Sequence, residues 1–128
     1  MQLPENREVF ELHADFCKTI AHPTRLMIVS LLGDEELTVG QLVEAIGVPL
    51  ANISQHLRIL RDRHIVVPRH EGRRVFYRLR DPRLVQACEL IRTILLDGLS
   101  ERGRLAERAT EPGQDGSLVA SPYSSSVD

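Results

Sequence analysis

The sequence predicts a mainly α-helical domain with one small β-hairpin, in the order α-α-α-α-β-β-α, and its 128 residues suit one such domain. Apolar residues recur at helical spacing through residues 5–65, and the pattern then alternates in IVVPRHEGRRVFYRLR. Helical spacing returns after Asp81 and Pro82. We therefore expect a folded domain over residues 1–102. Residues 103–128, where Gly, Pro and Ser replace the apolar pattern, are expected to form a disordered tail.

Capping and breaking residues delimit the first three helices. The first is predicted over residues 5–21, and the second begins at Pro23, a residue that suits the first turn of a helix. Thr38 is the expected N-cap of the third helix, with Gln41 three residues later completing a capping box. Gly47 is expected to end that helix and to begin a tight turn.

The fourth helix, LANISQHLRILRDRHI, has two chemically different faces. Ile53, Leu57 and Leu60 recur on the face that is expected to pack inward. The other positions carry hydrogen-bonding side chains: Asn52, Ser54, Gln55, His56 and Arg58. Asn and Gln can bind adenine edges at two atoms, Arg binds guanine in the same manner, and Ser and His reach phosphates or bases. Because no carboxylate lies between Pro49 and Arg61, this face is predicted to contact DNA.

The predicted hairpin lies in a locally basic segment. Its strands flank Glu71 and Gly72, and Pro68 marks the first strand as an edge strand or one with a bulge. Residues 58–83 hold nine of the sixteen Lys and Arg, although the formal net charge of the chain is −2. Basic segments attract polyanions such as nucleic acid. Two short helices joined by a turn, followed by a basic hairpin, indicate a winged helix-turn-helix.

Three segments together resemble the ArsR/SmtB family of bacterial winged-helix repressors: AHPTRLMIVSLL, LTVGQLVEAIGVPLANISQHLRILRDRHIV and RRVFYRL. The resemblance runs from about Phe10 to Leu99, and SQHL together with the upstream HPTRL is a specific combination. It implies a homodimer that associates through its first and last helices, binds a near-palindromic double-stranded DNA operator and represses transcription until an inducer binds. The residues expected to contact DNA are Thr38, Gln41, Asn52, Ser54, Gln55, His56, Arg58, Arg69, Arg73 and Arg74.

The last helix predicts self-association on physical grounds as well. Its apolar residues form one stripe: Leu84, Cys88, Ile91, Leu95 and Leu99. One small domain has little surface left to cover a stripe of this length, and exposed apolar surface of this kind marks an interface. A homodimeric arrangement is therefore expected.

The inducer is expected to act at Cys17 and Cys88. In the family that the chain resembles, classical metal sites use a Cys-x-Cys pair before the recognition helix, or Asp and His ligands on the last helix. Here the third helix has no cysteine and the last helix has no histidine. Three alternatives stay open for the two cysteines: a disulfide or polysulfide link, an As(III) or soft-metal site with His13 as a third ligand, or small core residues. No cofactor is required.

The sequence also argues against other functional classes. It shows no Ser/His/Asp grouping, no phosphate-binding glycine loop and no Cys-x-x-Cys, so an enzyme is not expected. No apolar run approaches the ~20 residues that cross a membrane, and MQLPENREVF does not resemble a secretory segment. A cytoplasmic protein is therefore expected. A protein-interaction winged helix and a dimeric metal-buffering protein are the rival functions.

Overall fold

The computed structural model describes residues 1–100, 102–103 and 108–109. The helices and strands are, in order, α1 (Arg7–Ile20), α2 (Pro23–Leu32), β1 (Leu37–Thr38), α3 (Val39–Ile46), α4 (Leu50–Asp62), β2 (Val66–Glu71), β3 (Arg74–Leu79) and α5 (Arg83–Ser100). The predicted fold class is confirmed, with the two-residue strand β1 as an addition. Except for residues 103, 108 and 109, the expected tail lies outside the described residues.

Local hydrogen bonds and a left-handed glycine delimit α3, the first helix of the helix-turn-helix. The Thr38 hydroxyl accepts from the Gln41 backbone N–H at 3.2 Å, and Gln41 Oε1 accepts from the Thr38 backbone N–H at 2.8 Å. The predicted capping box at the start of α3 is therefore confirmed. Gly47 ends α3 in the left-handed region at φ 80°, which residues with a Cβ rarely adopt. The chain then turns through Pro49 directly into α4.

β3 is the central strand of a three-stranded antiparallel sheet and pairs with β1 on one side and β2 on the other. Glu71 lies opposite Arg74, so Gly72 and Arg73 form the turn of the hairpin. We call β2, this turn and β3 the wing. Pro68 lies in β2, an edge strand of the sheet, as predicted. Two residues are too few for an alternating pattern, so β1 forms only because β3 supplies its hydrogen-bond partners.

The chain divides into two compact units, Met1–Cys88 and Glu89–Asp128, with the boundary inside α5. The first unit contains a hydrophobic core, formed by Ile20, Ile28, Val29, Leu32, Leu42, Ile53, Leu57, Leu60, Ile65, Val66, Leu79 and Cys88. These residues come from every helix of the first unit and from both strands of the wing. The shared core therefore holds α4 and the wing in one orientation relative to each other.

The apolar stripe predicted on α5 has two parts that differ in exposure. In the first unit, Leu84 packs against the core and Cys88 is buried. In the second unit, the exposed apolar side chains are Leu90, Ile91, Ile94 and Leu95, which we call the α5 apolar face. Leu99 is half-buried. Although α5 is long, neither it nor another helix of the described residues is both long and apolar enough to cross a membrane.

Candidate nucleic-acid interface

The outer surface of α4 presents the polar side chains that the sequence assigns to DNA. Asn52, Ser54, Gln55 and Arg58 are exposed, and we call them the recognition face. On the opposite side of the helix, Ile53, Leu57 and Leu60 are at most 1% exposed. Since these apolar side chains are fully packed, α4 cannot rotate about its axis without opening the core. The recognition face therefore has a fixed orientation.

His56 does not belong to this exposed set. It is half-buried at the border between the two faces of α4, and its Nδ1 accepts a hydrogen bond from Arg25 Nε at 3.1 Å. Its ring lies 4.4 Å from the ring of His22. Burial lowers the pKa of His56, and the neighbouring His22 and Arg25 lower that pKa further. His56 is therefore less exposed than the helical pattern indicates, because contacts with α2 hold the imidazole, and its contact with DNA stays a prediction.

Thr38 and Gln41, which were expected to contact DNA, lie at the start of α3. Their capping box uses the Thr38 hydroxyl and Gln41 Oε1, so the amide nitrogen of Gln41 is the group that no capping bond occupies. A shallow cleft of about 280 Å³ adjoins them. It is lined by Thr38, Val39, Gly40, Arg73, Arg74 and Val75. The first turn of α3 and the tip of the wing thus share one surface.

The three wing arginines that are expected to contact DNA differ in their partners. Arg69 forms ion pairs with Glu36 and Glu71, both at 3.0 Å, and its guanidinium lies 4.7 Å from the centre of the Phe76 ring. The hydrogen bond from Arg69 lowers the pKa of Glu36. Arg73 and Arg74 are exposed and have no carboxylate partner among the described residues. Two carboxylates therefore already compensate the charge of Arg69, and its contact with DNA stays a prediction.

Other arginines of the basic segment are also paired. Arg83 contacts Asp81 at 2.7 Å and lowers the pKa of that carboxyl to about 2. Arg61 lies 3.5 Å from Asp62, and Arg63 pairs with Asp15 of α1. Counting nine arginines in residues 58–83 therefore overstates the positive charge that is available to a polyanion. The arginines of this segment without a carboxylate partner among the described residues are Arg58 on the recognition face, Arg73 and Arg74 at the tip of the wing, and Arg78 and Arg80, which donate to backbone carbonyls.

The two cysteines have different environments. Cys17 is exposed on α1, whereas Cys88 is 3% exposed in the core. His13 is exposed on α1. Within the described part of the chain, no three His, Cys, Asp or Glu side chains are grouped so that they could hold a metal ion. The predicted ligand set of His13, Cys17 and Cys88 is therefore not assembled within one chain.

Arg25 takes part in this site although no DNA-contact motif points to it. It is half-buried on α2 and donates both to His56 and to the backbone carbonyl of Thr19. It lies in HPTRL, a motif noted for its resemblance and not for contact with α4. A basic side chain in an otherwise apolar helix, PTRLMIVSLL, was the available signal, because a half-buried guanidinium needs acceptors.

Comparisons with known proteins agree with this architecture. A family profile described as a helix-turn-helix domain matches residues 20–69. The HTH-type transcriptional regulator Rv0081 of Mycobacterium tuberculosis is 33% identical over 104 residues, which cover 80% of this chain and 91% of that protein. Its crystal structure superposes with a TM-score of 0.66 at 32% identity, covering 77% of this chain and all of that one (100%).

Two further relatives are named as repressors. The biofilm growth-associated repressor of Xylella fastidiosa is 38% identical over 81 residues, covering 63% of this chain and 71% of that protein. The crystal structure of the transcriptional repressor BigR from the same organism superposes with a TM-score of 0.56 at 36% identity and covers 70% of this chain and 92% of that one. The HTH-type transcriptional repressor SmtB of M. tuberculosis is 34% identical over 100 residues, covering 78% of this chain and 69% of that protein. The chain therefore belongs to the ArsR/SmtB family of winged helix-turn-helix transcriptional regulators.

Proposed function

We propose that this protein is a sequence-specific transcriptional repressor that acts in the cytoplasm and binds a near-palindromic DNA operator as a homodimer. The recognition face is the observation that carries the proposal. Its four side chains are exposed and contain no carboxylate, while the opposite face of α4 is fixed in the core. Two of the related proteins are also named as repressors.

Each part of the surface has a chemical task in this proposal. Gln55 and Asn52 offer the paired donor and acceptor that match an adenine edge, and Arg58 offers the paired donors that match guanine. At the tip of the wing, Arg73 and Arg74 contact phosphates, where their charge adds affinity without distinguishing sequences. Arg69 is a positioning residue for the wing because Glu36 and Glu71 hold it.

Two unpartnered apolar surfaces support dimerisation. On α1 the exposed apolar side chains are Val9, Phe10, Leu12 and Phe16. The α5 apolar face is the second such surface, with Leu90 and Ile94 each 61% exposed. Contiguous apolar surface is uncommon on monomers, and we propose that a second copy of the chain covers both surfaces. A two-fold dimer then places its recognition helices ~34–36 Å apart or at a multiple of that distance.

The test is fluorescence anisotropy on labelled DNA from just upstream of the protein's own gene, with unrelated DNA as competitor. Gln55→Ala is expected to weaken operator binding by about 5- to 150-fold for each of the two half-sites, because one two-point base contact is worth ~1–3 kcal/mol. Gln86→Ala is the matched control, since Gln86 is an exposed glutamine on α5. Equal affinities of Gln55→Ala and the wild type for the operator would contradict the proposal.

We further propose that the inducing signal acts on Cys17 and Cys88. Cys17 is exposed, so a solvent-borne reagent reaches it first. Because Cys88 lies in the core that also holds α4, its modification is expected to disturb the recognition face. With hydrogen disulfide as oxidant, two thiols form one disulfide and release two molecules of hydrogen sulfide, so two electrons pass to the sulfur donor. As(III) binding to the thiolates is the alternative signal.

The same anisotropy titration distinguishes these signals. The reduced protein is expected to bind DNA and to release it after polysulfide treatment, with arsenite as a parallel arm. Cys17→Ser is expected to bind DNA and ignore the inducer. At position 88 the matched variant is Cys88→Ala, because a buried serine hydroxyl would destabilise the core. Normal release of DNA by both variants after treatment would mean that the two cysteines are structural and do not sense the inducer.

A further inference from the structure

Arg25 joins three parts of the first unit. Its Nε donates to Nδ1 of His56 on α4 at 3.1 Å. Its Nη1 donates to the backbone carbonyl of Thr19, in the last turn of α1, at 2.6 Å. Arg25 itself belongs to α2. One guanidinium therefore holds the imidazole of His56 in a defined place relative to α1 and α2.

The Arg25 contact also decides which nitrogen of His56 carries the proton. A guanidinium has donors only and does not lose its proton in proteins. Nδ1 of His56 accepts a hydrogen bond from this guanidinium, so Nδ1 must be unprotonated. A neutral imidazole with an unprotonated Nδ1 carries its hydrogen on Nε2. The geometry thus selects the Nε2–H tautomer.

The surroundings keep His56 neutral. Arg25 places a positive charge beside Nδ1, and the ring of His22, at the start of α2, faces the imidazole at 4.4 Å. The Nδ1 atom of His22 accepts a hydrogen bond from the Thr24 backbone N–H at 3.0 Å. This nitrogen is therefore already occupied and would not accept a hydrogen bond from a second N–H on His56. Burial and these neighbours lower the pKa of His56.

We propose that Arg25 is a positioning residue for DNA binding, which holds His56 as the Nε2–H tautomer so that it donates a neutral hydrogen bond to a phosphate oxygen. The proposal rests on the proposed function. His56 is half-buried at the border of α4, beside the recognition face and not within it. A side chain at the border of a recognition helix faces the wall of the groove, where phosphates lie, whereas the exposed centre faces the bases.

The first test needs no DNA. Long-range ¹H–¹⁵N spectra of the full chain separate the two neutral tautomers of an imidazole, and the His56 signals are assigned from their loss in His56→Asn. The wild type is expected to show one tautomer, with the proton on Nε2. Arg25→Met retains the aliphatic stem without donors and is expected to show both tautomers and a raised His56 pKa. Arg25→Met spectra identical to those of the wild type would overturn the positioning role.

The second test separates the two nitrogens by substitution. In His56→Gln the amide NH₂ group replaces the Nε2–H donor, and in His56→Asn the amide oxygen replaces the Nδ1 acceptor. His56→Gln is expected to retain most DNA affinity, while His56→Asn loses at least about tenfold, because a donor to a charged acceptor is removed. The loss is expected on operator and unrelated DNA alike. Its salt dependence is expected to match that of the wild type, because a neutral donor releases no counterion.

These results separate the inference from the proposed function. If the wild type binds no DNA while its spectra show the fixed tautomer, the repressor proposal fails and the Arg25 contact stands. Wild-type affinity of His56→Asn overturns the donor role. A loss confined to the operator overturns the assignment to phosphate and points to a base instead. Thermal unfolding of each variant shows whether a loss of DNA affinity comes from misfolding. If Arg25→Met is misfolded, Arg25→Lys, which keeps the charge, takes its place in the test.

Discussion

Removing the two uncompensated charges at the tip of the wing should flatten the salt dependence of DNA binding. The change is Arg73→Ala with Arg74→Ala, at and beside the hairpin turn. Both side chains are exposed, and neither has a carboxylate partner in the described part of the chain. Their full charge is therefore available to displace counterions from DNA. Because Arg73 lies in the turn and Arg74 directly after it, both outside the core, their loss should leave the fold intact.

The magnitude follows from the number of phosphates that are contacted. Each contact contributes about 0.9 to the slope of log affinity against log salt, so losing two lowers the slope by about 1.8 per protomer and about 3.6 per homodimer. Over a fourfold rise in salt, the wild-type dimer should lose about 150-fold more affinity than the variant dimer. A difference of only about 1.8 would mean that one wing contacts DNA.

The assay is operator binding by anisotropy at several NaCl concentrations between about 50 and 200 mM, a range over which phosphate contacts change affinity strongly. Arg83→Ala is the charge-matched control, because Asp81 already compensates Arg83 at 2.7 Å. The control should retain the wild-type slope. An unchanged slope in the double variant would remove the tip of the wing from the contact surface and refute the reasoning.

Two further outcomes follow from packing and charge. Leu57→Ala should lower the free energy of unfolding by about 2–5 kcal/mol in urea titrations, because Leu57 is buried in the core. Leu50 lies on the same helix but is exposed, so Leu50→Ala should change the free energy of unfolding much less. Equal losses in the two variants would contradict the assigned faces of α4. NMR titration should give the Asp81 carboxyl a pKa of about 2, below its ordinary value of 3.8, and Arg83→Ala should raise that pKa. Since the pKa of Asp81 is lowered in the folded state, the stabilisation of the fold by its ion pair with Arg83 is present above pH about 3.8 and is lost as the pH falls through about 2. An unshifted pKa would mean that the ion pair is absent in solution.

Local sequence determines most of the helix-turn-helix. The capping box of Thr38 and Gln41, the left-handed Gly47 and the apolar period of α4 each involve residues a few positions apart. Such features depend on backbone sterics, capping residues and the spacing of apolar side chains, and each of these can be predicted from the sequence. The separation of the recognition face from the buried face of α4 was predictable for the same reason.

The tertiary structure decided which polar side chains are available. His56 is held by Arg25, 31 residues earlier in the chain, and Arg69 by Glu36, 33 residues earlier. Strand β1 depends likewise on β3, and the burial of Cys88 on helices that are distant in sequence. Periodicity reports which face of an element is apolar, but the partner of a charged or imidazole group depends on how separate elements pack. For this reason the sequence alone determined the family and the recognition helix, and folding decided that the tip of the wing, and not Arg69, retains uncompensated charge.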